Sequence, residues 1–477
     1  MSESRLTQLF IDGEWRSGGS GETFAVVDPS DFTEIAQFAV ATEEDCVAAV
    51  DAAERAFEDW ALTAPRERGE LLRSAFEIMR QEREEIADTI VRENGKAFAD
   101  ALTEVDYANE FFRWFSEEAV RISGDYRLSP RGDKRILVSR EPIGVSLLIT
   151  PWNFPAAMAT RKIGPALAAG CPVVLKPARE TPFTAAHIVG ILERAGVPRG
   201  VVNLVTPVPT GPAVSRMLHM PAVRKLSFTG STEVGRLLLH EAADTVVSSS
   251  MELGGNAPLL VLEGADLDST IEGALVAKMR NGGSACTAAN RFYVHRSLHD
   301  EFVDRLSRAL DGYRVGPGRD RGNDLGALVS RGERDKVAQL VDRAVDEGAR
   351  IVQGGGSAED GAFYEPTVVV DVPHGSEINR TEIFGPVAAV VAFDDVDEVV
   401  RMANDTEYGL ISYVFGEERE AMRVAHRLDA GMVGVNRGVL SDPAAPFGGM
   451  KQSGLGREGG SEGILEFMEE KYIGLPV

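Results

Sequence analysis

Residues 171–206 read CPVVLKPARETPFTAAHIVGILERAGVPRGVVNLVT. Two apolar runs, "PVVLKPA" and "GVVNLVT", flank the helical stretch "TAAHIVGILERAG". The runs do not alternate apolar with polar, so both faces of each strand are expected to be buried. Strand, helix, strand with buried strands indicates a parallel sheet with crossover helices. Working outward, "KRILVSREPIGVSLLIT" and "KLSFTG" read as further strands of the same kind. On the N-terminal side the chain is largely helical after a short β start. "TEEDCVAAVDAAERAFEDWALT" opens with a capping Thr-x-x-Asp, a second helical stretch covers about Pro65 to Asn94, and a third is "FADALTEVDYANEFFRWFSEEAVRI". The strand–helix alternation resumes beyond residue 286, with "RFYVH", "DEFVDRLSRAL", "KVAQLVDRAVDEGARIVQGG" and "VAAVVAFD". "VQGGGSAEDGAF" reads as a surface loop. The fold class is α/β, with two α/β domains, the first carrying a nucleotide-type sheet.

The 477 residues carry a formal net charge of −24, with 44% hydrophobic and 26% charged residues. That acidity repels phosphate backbones and anionic lipid, so neither nucleic acid nor a membrane surface is an expected partner. No apolar run is long enough to span a bilayer, and "MSESRLTQLFIDGEW" has no signal-peptide core. Three cysteines far apart give neither a disulfide framework nor metal-ligand spacing, which fits a reducing cytoplasm. Cys46 falls within the first helix and reads as packing.

Cys286 is different. In "MRNGGSACTAANR", residues 279–291, it is surrounded by Gly282, Gly283, Ser284, Ala285, Ala288 and Ala289. Such small neighbours leave space around one thiol. Gly230 and Gly235 in "SFTGSTEVGR" lie where a strand gives way to a helix, a turn that can cradle phosphate or be an ordinary turn. Lys176 ends a buried strand, where open α/β sheets bind ligands, or it snorkels at the sheet edge. Glu252 in "MELGGN" could be a general base with a raised pKa, though a solvated loop glutamate is the plainer reading. Asn153, held between prolines in "PWNFP", could donate to an oxyanion or simply build a turn.

Together, "PWNFP", "LKPA", "FTGSTEVG", "MELGGN", the Cys286 segment, "EIFGP" and "PFGGMKQSGLGREGG" occur in that order. As a set they resemble the aldehyde dehydrogenase superfamily over essentially the whole chain. The resemblance implies a Rossmann-type cofactor domain (1–119 and 143–253), an α/β catalytic domain (254–445) and a small β oligomerisation arm (120–142) with the C-terminal segment (446–477). It implies that Cys286 attacks an aldehyde, that the Asn153 side chain and the Cys286 N–H hold the oxyanion, that hydride leaves for a nicotinamide, and that Glu252 activates water against the thioester. No metal is needed. Lys176, Ser231 and Glu382 would contact cofactor ribose and phosphates, Phe384 would pack near the nicotinamide, and Trp152, Gly230, Gly235 and Leu253 complete the implied cofactor site.

Within the superfamily, "TPWNFPAAMATRKIGPALAAGCPVVLKPA" and "APFGGMKQSGLGREGG" look like the succinate-semialdehyde dehydrogenase branch. Arg161, Arg280 and Ser441 match positions that hold a distal carboxylate, and two guanidiniums with a hydroxyl suit that ligand. Taken singly, Arg161 could be a surface helix charge and Arg280 could serve its own helix C-terminus. Arg179, where NAD-specific relatives often have Glu, favours NADP over NAD, although Glu180 is adjacent. The chain departs from the branch in reading "GSA" before Cys286 where "GQT" is common, and Ala288 stands where some relatives carry a second cysteine. The alternatives are another aldehyde (glutarate semialdehyde or an aromatic one) or a cysteine hydrolase, for which none of the seven histidines offers a partner motif. A homodimer or homotetramer is expected.

Overall fold

The structure, a computed structural model, describes residues 5–477; the first four residues of the N-terminal stretch quoted above lie outside it. The stretch 171–206 folds as read. Val173–Lys176 and Val202–Leu204 are adjacent parallel strands, joined by the helix Pro182–Arg194. Leu175, Val174 and Leu204 are wholly buried, and each such side chain contributes roughly 1.5–3 kcal/mol by leaving water.

These strands belong to an eight-stranded sheet. Its central five strands are Ser248–Glu252, Val223–Thr229, Val145–Ile149, Val173–Lys176 and Val202–Leu204, all parallel. Leu9–Ile11 and Glu14–Arg16 extend one edge antiparallel. Gly454–Leu455 closes the other edge, pairing with Met251 and Glu252. The C-terminal segment therefore does more than form an arm: it completes the first sheet beside Glu252.

A seven-stranded sheet follows, in the order Arg350–Gln353, Thr367–Val370, Val387–Phe393, Ala289–His295, Ala257–Val261, Ile411–Phe415, Met432–Val435, parallel except for the first pair. A third, antiparallel sheet joins Met468–Pro476, Lys134–Pro142 and Asp125–Leu128. It leaves Tyr126, Leu128, Tyr472 and Ile473 exposed.

The helical stretch read as continuous from Pro65 to Asn94 is two helices, Pro65–Gln81 and Arg83–Asn94. Glu82 breaks it by adopting φ −96°, ψ 17°. Its carboxylate is drawn to the Arg194 guanidinium (2.7 Å) and to His187 (3.0 Å), so a tertiary pairing overrides local helix preference. The other two helices read in this region stand as expected: Glu43–Leu62 begins with a complete Thr42/Asp45 capping box, and Phe98–Glu118 follows.

Candidate active site

The parallel strands of the first sheet deliver four segments to one edge. Lys176 ends one strand and Glu252 another. Val145–Ile149 runs on into Thr150–Asn153, and Val223–Thr229 into Gly230 and Ser231. Ser231 caps the helix Thr232–Thr245, its hydroxyl accepting from the Val234 N–H. Such strand ends are where open α/β sheets bind ligands. Facing them, the second sheet supplies Cys286 on the turn before Ala289–His295, and Glu382 and Phe384 on the loop before Val387–Phe393.

A cleft of about 900 Å³ lies between, lined by Trp152, Asn153, Lys176, Arg179, Gly230, Ser231, Leu253, Cys286, Glu382 and Phe384. Ten of the residues singled out in sequence are thus brought to one cavity. Gly235 lies behind it, where a Cβ would come within 2.4 Å of Leu253. Glu252, Arg161, Arg280 and Ser441 are outside its lining. The cleft suits a nicotinamide dinucleotide. At one end Lys176 is partly buried at its strand end, and burial lowers its pKa to about 8. At the other end Trp152 and Phe384 meet edge to face at 5.3 Å beside Cys286. Arg179 lies over the Phe24 ring at 5.2 Å, next to Glu180. Glu382 accepts the Gly255 N–H (3.2 Å) and burial raises its pKa to about 7.

Around the thiol the structure refines the sequence reading. Gly283 is glycine because the backbone approaches closely: a Cβ there would stand 2.2 Å from the Gly385 carbonyl oxygen, and its φ is +75°. The small residues thus lock the nucleophile turn to the Phe384 loop as well as clearing space. Ser284 Oγ adds a hydrogen bond to the Phe384 carbonyl (3.3 Å). Cys286 itself is partly accessible, and burial pushes its thiol up to about 12, with Arg161 and Arg280 pulling the other way. The thiol is therefore protonated at rest and needs a base to activate it.

Asn153 Nδ2 donates to the Ser284 carbonyl (3.1 Å). An amide nitrogen carries two hydrogens, so one remains for a ligand. Sequence reasoning missed what holds this amide. Lys96 Nζ donates to the Asn153 carbonyl (2.7 Å) and to Glu104 (2.6 Å), and Glu104 in turn accepts from the Ala156 N–H (2.8 Å). Asn281 Nδ2 bridges the Asn153 carbonyl (2.8 Å) and the Ser284 carbonyl (2.9 Å). Asn281 has φ +55°, a strained conformation for a non-glycine residue, with its N–H on Asp100 (2.9 Å). Asn281 stood in the quoted cysteine segment; Lys96 and Glu104 carried no motif.

Glu252 is buried, not a solvated loop glutamate, and neither carboxylate oxygen has a hydrogen-bond partner. Burial and then the nearby Glu458 charge raise its pKa well above the ordinary carboxylate range, against Arg161 and Lys162. Arg161 is likewise no surface charge, being 1% exposed. Nor is it the unpaired clamp expected from sequence. Its Nε is 2.5 Å from Glu458 Oε2, its guanidinium lies over Phe447 at 4.2 Å, and Lys162 pairs with the same Glu458. Two buried cations side by side need a counter-charge, and Glu458 supplies it. Arg280 has no carboxylate within ion-pair distance among the described residues. It donates to Thr287 Oγ1 (3.3 Å) and lies over Phe154 at 5.3 Å. Ser441 is partly buried in the loop that runs into Phe447.

A free thiol, an amide donor and a buried carboxyl without partners, set on a dinucleotide-sized cleft at the strand ends, match one family of enzymes, and the aldehyde dehydrogenase family model matches residues 15–473. The chain belongs to the aldehyde dehydrogenase family. It is 49% identical to a succinate-semialdehyde dehydrogenase of Paenarthrobacter nicotinovorans, over 92% of this chain and 98% of that one. It is 44% identical to a glutarate-semialdehyde dehydrogenase of Pseudomonas aeruginosa, over 98% and 97%. A solved NADP-dependent enzyme of E. coli superposes with a TM-score of 0.98 over the full length of both chains, at 43% identity. As in those enzymes, the chain is an α/β oxidoreductase. Among the described residues no helix is long and apolar enough to cross a membrane. Among the described residues the one group of possible metal ligands, Glu82, Glu85 and His187, lies outside the cleft, with Glu82 already held by Arg194.

Proposed function

We propose that this aldehyde dehydrogenase oxidises short aldehydes bearing a distal carboxylate, succinate semialdehyde first, with NADP favoured over NAD. The observation that carries the substrate reading is Arg280. It is a cation beside the nucleophile, close enough to bias the Cys286 thiol, and no carboxylate lies within ion-pair distance of it among the described residues; Asp100, which feels its charge, is itself held by Lys96 and the Asn281 N–H. A substrate carboxylate is the partner it lacks. Arg161 adds positive potential while Glu458 balances it, and Ser441 is assigned as the accompanying hydroxyl.

Cys286 Sγ is the nucleophile. It gives up its proton to solvent in the cleft and adds to the aldehyde carbon, and the resulting oxyanion is held by the free Asn153 amide hydrogen and the Cys286 N–H. A bound nicotinamide supplies the hydride acceptor that converts this adduct to a thioester. Lys176, Arg179, Gly230, Ser231, Leu253 and Glu382 would hold that cofactor, with Gly235 seating the helix behind it and Trp152 and Phe384 walling the ring. Arg179 removes the repulsion that a glutamate there would exert on a 2′-phosphate, and the NADP-dependent relative supports the same choice. Glu252 takes a proton from the water that hydrolyses the thioester. Its raised pKa makes it a better base once ionised.

The cofactor domain is assigned to 1–119 and 143–253, the catalytic domain to 254–445. The sheet of 120–142 and the C-terminal segment, with its exposed Tyr126, Leu128, Tyr472 and Ile473, is assigned to a homodimer or homotetramer contact. Three free cysteines suit a cytoplasmic location. Glutarate semialdehyde is the second reading, favoured by the Pseudomonas aeruginosa relative. Initial rates of nicotinamide reduction with succinate semialdehyde, glutarate semialdehyde and butanal, each with NADP and NAD, test the assignment. Equal kcat/KM for butanal and both semialdehydes would remove the carboxylate from it.

A further inference from the structure

Two helices of the first sheet wall part of the cleft. Thr210–Leu218 precedes the strand Val223–Thr229, and Thr232–Thr245 follows it. Pro212, Val214 and Ser215 of the first helix line the cleft, as do Val234, Leu237, Leu238 and Glu241 of the second. The latter four stand at i, i+3, i+4 and i+7, so they share one face of their helix. That face is apolar and uncovered: Val234 is 43% exposed and Leu237 63%. Cys286, Trp152 and Phe384 place the nicotinamide, which leaves the slot between the two helices for the other base of the dinucleotide. One acceptor stands at the end of the apolar face. Glu241 Oε2 accepts the Ser215 hydroxyl of the facing helix at 2.5 Å. Its Oε1 has no hydrogen-bond partner among the described residues, and no lysine or arginine there lies within ion-pair distance.

We propose that Glu241 accepts a hydrogen bond from the 6-amino group of the cofactor's adenine and makes the enzyme specific for an adenine dinucleotide. The inference rests on the nicotinamide-dinucleotide reading of the cleft, adds a base-reading residue to it, and is independent of the 2′-phosphate preference. Pro212 and Val214 on one helix, with Val234 and Leu237 on the other, cover the faces of a flat ring. Those contacts carry no information about the base, because every base has such a face. Selection falls to the edge of the ring. A carboxylate only accepts hydrogen bonds. Adenine offers an amino group at position 6, where hypoxanthine and guanine carry an oxygen. An oxo group in that place would set one acceptor against another, so Glu241 acts against 6-oxo bases as well as for adenine. Ser215 holds one carboxylate oxygen and leaves the other free for this contact. A pair that only stapled the two helices together would show no dependence on the base.

Isothermal titration of the enzyme in the absence of aldehyde tests this without turnover. NADP is compared with nicotinamide hypoxanthine dinucleotide phosphate, and NAD with nicotinamide hypoxanthine dinucleotide. The wild type should bind the adenine member of each pair roughly tenfold more tightly, the low end for a hydrogen bond to a charged group, because Glu241 is only partly buried. Glu241→Gln carries an amide that can accept from an amino group or donate to an oxo group, and should bring each ratio to within about twofold. Glu241→Ala should also level the ratio, by weakening the adenine dinucleotides alone. A wild type that binds both members of a pair alike overturns the inference. So does a Gln or Ala variant that keeps the wild-type ratio, including one that loses affinity equally for both members, as a mere staple would. Should one variant fail to fold, the other decides on the same criterion. A wild type that binds no nicotinamide dinucleotide would instead refute the cofactor reading, and one that prefers NAD to NADP would refute only the 2′-phosphate assignment, so the three failures are told apart by the wild type.

Discussion

Arg280→Gln is the substitution that separates carboxylate recognition from catalysis. The variant keeps a polar side chain over Phe154 and a donor for Thr287, and removes only the charge and the fork. Arg280 has no carboxylate within ion-pair distance among the described residues, and Asp100, which feels its charge, keeps Lys96 and the Asn281 N–H when it is removed. The loss should therefore be the substrate's own interaction. A charge-assisted hydrogen bond contributes about 1.5–3 kcal/mol, so kcat/KM for succinate semialdehyde should drop roughly 10- to 150-fold. Butanal should be nearly unaffected. Arg161→Ala makes the contrast. It leaves Glu458 with Lys162 as its remaining ion-pair partner, beside Glu252. Breaking a buried pair costs about 3–5 kcal/mol when a charge is left unpaired, and Lys162 offsets part of that. Arg161→Ala should accordingly lower thermal stability and slow both substrates. The assay is initial rates of nicotinamide reduction for each variant on each aldehyde, with a melting curve alongside. Equal losses on both aldehydes for Arg280→Gln, at unchanged melting temperature, would refute the assignment of Arg280 to the carboxylate.

Glu252→Gln should leave a pre-steady-state burst of reduced nicotinamide while steady turnover collapses, read by stopped flow. The same variant should also flatten the pH dependence of stability. The folded-state pKa of Glu252 is raised, so between the unfolded value of about 4.3 and the raised one the folded chain holds a proton that the unfolded chain has released. Wild-type stability thus declines as pH rises through that window, and the Gln variant should melt higher than wild type at neutral pH and above. Arg179→Glu should shift the ratio of kcat/KM for NADP to NAD toward NAD by roughly tenfold or more, the scale of one charged contact; an unchanged ratio assigns cofactor choice elsewhere. Asn281→Gly keeps the left-handed backbone but removes the bridge between the Asn153 and Ser284 carbonyls. It should lower kcat on all aldehydes by roughly 10- to 100-fold, the scale of one misplaced oxyanion donor, with cofactor KM unchanged; wild-type kcat would show that only the backbone shape matters there.

The sheet built on residues 171–206 was legible because its strands are buried on both faces and so read as unbroken apolar runs. Cys286, Glu252 and Asn153 were legible only as a set, since each alone had a plain structural explanation. What the sequence hid is pairing at a distance. Glu82 breaks a helix whose local pattern is continuous, because Arg194 lies more than a hundred positions downstream. Glu458 occupies Arg161 from almost 300 residues away, which no local pattern records. Lys96 and Glu104 carry no motif of their own. Their roles come from the Asn153 carbonyl and the Ala156 N–H that they meet once the helix Phe98–Glu118 packs against the helix Pro155–Ala169. Glycines read as clearing space turned out, at Gly283, to permit backbone contact with Gly385.

The most direct test of the central claim, that Cys286 carries a carboxylated acyl group during turnover, is mass spectrometry of the acyl-enzyme. Glu252→Gln is mixed with succinate semialdehyde and NADP, quenched in acid and digested. The peptide containing Cys286 should gain the mass of one succinyl group, and Cys286→Ala should show no such gain. An unmodified Cys286 peptide under conditions where reduced nicotinamide has formed, or a succinyl group on any other residue, would contradict it.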